Sequence, residues 1–232
     1  MSDVAASHAD PHGHAHAHHP ALQHHFDTLE QQHEASTLGM WLFLVTEVMF
    51  FGGLLMAYFL YRVWYPEAWA EGSLDLDITL GAINTAVLIA SSLTMAFAVR
   101  AAQTGLPRAT VGWLLITMAF GLTFLVIKFF EYKHKWELNH IPGFGFVYEG
   151  PHARQLEIFF SLYFSLTGLH ALHMVIGVSL LAVITWMAYK RRFSPEWYTP
   201  VEMSGLYWHF VDIVWIFLFP LLYLVDRAGH VG

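Results

Sequence analysis

The sequence contains no cysteine, which excludes disulfides, thiolate metal sites and cysteine nucleophiles outright. Charge is scarce as well: 12% of the 232 residues are Asp, Glu, Lys or Arg, where a soluble domain carries about 25%. There is no basic run to hold nucleic acid, and the formal net charge is −7. Residues 1–37 lack both a basic start and an apolar stretch, so no cleaved signal peptide is expected. What is plentiful is apolar. Hydrophobic residues make up 56% of the chain and mean hydropathy is +0.46, the composition of a membrane protein.

Five stretches are long and apolar enough to cross a bilayer as helices, which takes roughly 20 residues each. The expected fold is therefore all-α, a polytopic bundle of five transmembrane helices. Spans are expected at about 38–62, 78–100, 110–132, 157–189 and 203–226, with a short C-terminal tail at 227–232. The acidic segment after span one and the Gly- and Pro-containing segment from His134 to Arg154 read as loops. Small residues Gly81, Thr85, Ser92 and Ala96 make a stripe on span two suited to helix contact, and Gly52 and Gly53 suggest close approach by span one. One end carries Arg100, Arg108 and the Lys190–Arg192 cluster on short connections with few acids. That bias favours an N-terminus inside and a C-terminus outside.

The N-terminal segment 1–37 is polar and histidine-rich, and it cannot bury enough apolar surface to offset its ordering entropy. It is expected to be disordered. Its imidazoles, among them His12, His14, His16, His18 and His19, are the only candidates for a loosely held metal; the preferred reading is a low-complexity tail with adventitious affinity.

Ionisable groups inside the spans carry the functional question, because each costs at least ~2.5 kcal/mol at mid-bilayer on insertion scales and must face protein. Glu47 lies about 14 Å into span one at 1.5 Å per residue. Lys128 and Glu131 sit three apart near the end of span three and can pair, while Lys128 can also snorkel. His170 and His173 share a face of span four, as do His209 and Asp212 on span five, and Asn84 offers an interhelical hydrogen bond. Three functions compete on these residues. The histidines could ligate haem between spans four and five, the tail could serve a divalent-cation transporter, or the polar groups could fasten the helices of an accessory subunit.

The order of several blocks then narrows the choice. WHFVDIVWIF (Trp208–Phe217), TGLHALHMVIG (Thr167–Gly177), FEYKHKW around Glu131, NTAVLIASS from Asn84 and LVTEVMFFGG around Glu47 together resemble subunit III of the haem-copper terminal oxidases. The resemblance covers residues 38–226 and departs from the family in length, since many members have seven spans and this chain has five. It implies a subunit in a bacterial inner membrane with no redox centre of its own, beside a subunit I that holds the haem and copper, with other oxidase subunits and membrane lipids as further partners. It also implies that the chain holds phospholipid and supports proton uptake and turnover. Glu47 matches the family's buried carboxyl beside a lipid cleft; Glu131, His170, His173, His209 and Asp212 match positions that bond helices to one another. Cytochrome c is the expected electron donor, with a quinol oxidase or a nitric oxide reductase partner as alternatives. A haem-binding membrane cytochrome is the rival from a different class.

Overall fold

The computed structural model describes residues 21–138, 140–143, 146–148 and 151–225. The histidines proposed to gather metal, His12 to His19, lie outside the described residues, as does the tail at 227–232. The described chain is six helices: α1 (Leu29–Trp64), α2 (Pro66–Leu74), α3 (Ile78–Gln103), α4 (Pro107–Glu137), α5 (Ala153–Tyr189) and α6 (Thr199–Tyr223). Five of them, all but α2, are long and apolar enough to cross a membrane, and no strand is present among the described residues. The expected all-helical, five-span architecture is the observed one.

Local chemistry sets the helix ends. Thr28 caps α1 by accepting from the backbone N–H of Gln31 at 3.1 Å, while Gln31 returns a bond to the N–H of Asp27 at 2.9 Å. This pairing starts α1 at Leu29, inside the segment expected to be disordered. At 1.5 Å per residue the 36-residue helix is about 54 Å long, so it projects well beyond the bilayer. Asp77 caps α3 by accepting from Thr79 N and Leu80 N. Pro107 begins α4, where a missing N–H costs nothing, and Gly105 at φ 69° makes the turn before it. The segment after span one is not simply a loop: Pro66 starts the short helix α2, which buries Ala68, Trp69 and Gly72.

Helices α3 to α6 form the tight part of the bundle, with α3 running along α4, and α6 packed on both α3 and α5. Backbones meet closely where side chains vanish. A Cβ on Gly121 would stand 2.6 Å from the Trp208 ring, and one on Gly81 would stand 2.7 Å from Phe219. The small-residue stripe of α3 thus receives α6. Helix α1 instead leans mainly on α5 and α6, with Trp41, Leu42, Val48, Met49 and Met56 exposed to the membrane. Gly52 and Gly53 meet nothing within 4 Å, so the close approach expected of span one is not made through them within this chain.

Candidate functional site

The polar groups of the membrane part are distributed along the helix seams. At the α3–α6 seam, the Trp208 indole donates to Ser91 Oγ at 3.1 Å, and that hydroxyl lies 3.3 Å from Asp212 Oδ2. One turn away Ser92 Oγ and His209 Nδ1 are 2.6 Å apart, and the Trp215 indole donates to Thr85 Oγ1 at 3.1 Å. His209 and Asp212 are therefore taken up by adjacent serines of α3. Asp212 Oδ1 is buried without a hydrogen bond among the described residues.

At the α1–α5 seam Glu47 Oε2 is 2.9 Å from His173 Nε2, while His173 Nδ1 is 2.8 Å from the carbonyl of Leu169, four residues back. A carbonyl only accepts, so Nδ1 carries a proton. One further proton must then lie between Nε2 and Oε2, whether the pair is written as imidazolium with carboxylate or imidazole with carboxylic acid. Tyr207 of α6 donates to the backbone carbonyl of His173 at 3.1 Å and closes the corner among three helices.

A larger cluster joins α4, α5 and α6. Lys128 Nζ donates to Glu131 Oε2 at 2.9 Å, to Tyr163 OH at 3.1 Å and to Tyr223 OH at 2.9 Å. Both phenols donate onward to Glu131 Oε1, at 2.6 and 2.5 Å. The rings of Tyr132, Tyr163, Trp215 and Tyr223 stand 5.0 to 5.6 Å from the ammonium, within cation–π range. Lys128 is 2% exposed, so it does not snorkel: with every ammonium proton placed, nothing remains for water to supply. Tyr163, Tyr223 and Ser91 are partners that sequence reasoning missed, while Ser92, expected only as a small residue of the contact stripe, proves to bond His209. Tyr163 was findable in part, because it stands four and seven residues before Thr167 and His170, on the same helix face.

Two expected contacts are not made. Asn84 is buried, yet neither atom of its amide has a hydrogen-bond partner among the described residues. His170 is likewise buried with both ring nitrogens unbonded, wedged between Phe124 and Trp215 at centroid distances of 5.2 Å. His173 uses both nitrogens on protein, His209 uses Nδ1 on Ser92, and no group of three His, Asp or Glu suited to an ion occurs among the described residues.

Beyond the α4–α5 end of the bundle, α2 and the residue that caps its C-terminus present Glu67, Glu71 and Asp75 at helical spacing. Glu71 accepts from Tyr148 OH at 3.0 Å and faces His152 Nδ1 at 3.4 Å, and Asp75 holds Lys135 at 2.5 Å and His140 at 3.1 Å. Partial burial and the Glu71 carboxylate push the Tyr148 phenol up to about 12.

Comparison with known proteins places this architecture. The family model described as cytochrome c oxidase subunit III matches residues 23–226. Cytochrome c oxidase subunit 3 of Thermostichus vulcanus is 31% identical over 202 residues, covering 87% of this chain and 92% of that protein. Quinol oxidase subunit 3 of Bacillus subtilis is 32% identical over 195 residues, 83% of this chain and 88% of its own length. The haem-copper oxidase subunit I+III of Aeropyrum pernix is 31% identical over 192 residues, 80% of this chain but 22% of that longer protein. With five membrane-spanning helices, seams bonded by buried polar pairs and these relatives along nearly its whole length, the chain belongs to the subunit III family of haem-copper oxidases.

Proposed function

We propose that this chain is the non-catalytic structural subunit of a proton-pumping oxidase that reduces oxygen to water, with cytochrome c as electron donor. It sits beside a subunit I that carries the haem and copper, steadies that subunit, holds phospholipid and sustains its proton uptake. The observation that supports this most is the fate of the embedded groups: Glu47, Lys128, Glu131, His173 and His209 are each bonded to another side chain, and all but the Lys128–Glu131 contact itself cross between helices. Side chains so engaged act as fasteners between helices, and this is the role we assign to Asp212 as well. A relative named as a fusion of subunits I and III supports subunit I as the direct neighbour. We place the chain in a bacterial inner membrane with its N-terminus inside, because Arg100, Arg108 and Lys190–Arg192 gather at one end while the acids of α2 lie at the other.

The test is purification of the tagged full chain from its native membrane. The expected result is a colourless chain by itself, and a complex with haem and copper on a larger partner that oxidises reduced cytochrome c. Similarity to a quinol oxidase subunit makes quinol the second donor to assay on the same complex. Pigment on the isolated chain, ligated by His170, His173 or His209, overturns the reading.

A further inference from the structure

The first turns of α1, residues 29–37, precede the apolar run that begins at Leu38, and they stand beside the start of α6. One imidazole joins the two. His33 Nδ1 is 3.1 Å from Oγ1 of Thr199, the first residue of α6, and its Nε2 is 3.7 Å from Glu202 Oε2, in the same turn. The second distance is too long for a hydrogen bond, and Glu202 Oε2 is buried without one among the described residues. The imidazole is 38% exposed, so water can deliver or remove its proton. Further along α1, Ser36, Thr37 and Thr46 bond back to carbonyls of their own helix. The next polar tie to the bundle is Glu47 to His173, about 21 Å away at 1.5 Å per residue. His33 therefore decides how the end of α1 is held.

The α6 dipole accounts for a carboxylate in that helix's first turn. It does not account for a buried oxygen of that carboxylate left without a donor beside an imidazole, an arrangement that lacks only a proton. The charged and titratable groups around His33 are Glu30 and Glu34 of α1, with Tyr198 and Glu202 at the start of α6. Arg100 of α3 and His209 of α6 line the groove that Glu202 borders, and His209 is held by Ser92. Near neutral pH, arginine, carboxylates and phenols keep their charge, and imidazole is the group that changes it. A neutral imidazole has a single N–H; a protonated one has two, one for Thr199 Oγ1 and one for Glu202 Oε2. We infer that His33, Thr199 and Glu202 form a proton-operated latch that fastens the extramembrane start of α1 to α6. The second proton pairs the imidazole with Glu202, and its loss leaves only the bond to Thr199. The latch is closed on the acid side of neutrality and loosens as pH rises. It responds to protons on the side of the membrane where α1 begins, at the root of the histidine-rich segment.

The chain has no cysteine, so Ala35→Cys with Arg192→Cys, both at exposed positions, puts spin labels at those two places alone. The test is the distance distribution between them in the full chain in nanodiscs, read by pulsed electron–electron double resonance. It is taken at about pH 5.5 and about pH 8, either side of ordinary imidazole titration. At the lower pH one narrow distance should dominate. At the higher pH the share of longer, broader distances should rise roughly two- to fivefold, the factor a partly exposed ion pair supplies. His33→Gln and Glu202→Gln should each make the two distributions alike. Thr199→Val should raise the longer distances at both pH values and keep the response, and Arg100→Gln should also keep it. A labelled chain whose distribution does not change with pH overturns the inference, as does one that loosens on the acid side. So does a response that survives in His33→Gln with helix content intact. No partner subunit is needed, so failure here leaves the oxidase-subunit reading standing.

Discussion

Two acid–base pairs are embedded in this protein, and they are held in opposite ways. Lys128 and Glu131 are sealed, at 3% and 4% side-chain exposure, inside a cage of aromatic rings from three helices. Glu47 and His173 lie at a seam, 16% and 10% exposed, where α1 leans on the bundle without interlocking with α3. The chemistry is similar, one carboxylate with one basic nitrogen, but the surroundings assign different duties. A sealed pair fixes the bundle's interior geometry, since removing either member strands the other without water. A seam pair joins a peripheral helix, α1, to α5.

The largest expected effect tests the sealed pair. Lys128→Ala leaves Glu131 buried without its cation and should cost about 3–5 kcal/mol of stability, read by denaturant unfolding of the detergent-solubilised chain. Replacing both residues together, as Lys128→Met with Glu131→Leu, should recover most of that loss, because no charge is left stranded. If the single change costs no more than a seam substitution, the contrast between the two pairs collapses. Glu47→Gln comes next and should be mild, about 1 kcal/mol, since the amide can still bond His173. The oxidase complex carrying it should assemble and show nearly unchanged initial oxygen consumption; failure of haem incorporation in the partner would sink the fastener role. The smallest effect belongs outside the membrane. The Tyr148 phenol ionises near 12 in the fold and near 10 when free, so its hold on Glu71 is complete below pH 10 and is lost as pH rises through 12. Tyrosinate absorption, with Tyr148→Phe as the blank, checks this.

What the sequence disclosed and what it withheld divide along range. Span positions follow from runs of apolar residues, and the α3 stripe from the spacing of Gly81, Thr85 and Ser92, which are local patterns. The start of α1 was also local, in Thr28 and Gln31, but the polar face of a helix that stands outside the bilayer looks like a tail. Helix α2 was masked in the same way, its Pro66 start and its acids at intervals of four reading as an acidic loop. Lys128 shows the other limit. A lysine three residues before Glu131, near a span's end, looks ready to reach the surface. Its confinement depends on Tyr163 and Tyr223, 35 and 95 residues further on, and no window around Lys128 contains them. Asn84 and His170 teach the converse, for being polar and embedded brought neither of them a hydrogen-bond partner among the described residues.

The distance from Lys128 to Tyr223 has a consequence for biogenesis. Translation lays down the third span, with its ammonium, well before it makes the phenol that completes the lysine's shell. Until the final helix is inserted, a nascent chain must carry that charge half-clothed, and a product truncated before Tyr223 would present it to membrane quality control. Completion of the polypeptide is thereby written into the comfort of a residue near its middle.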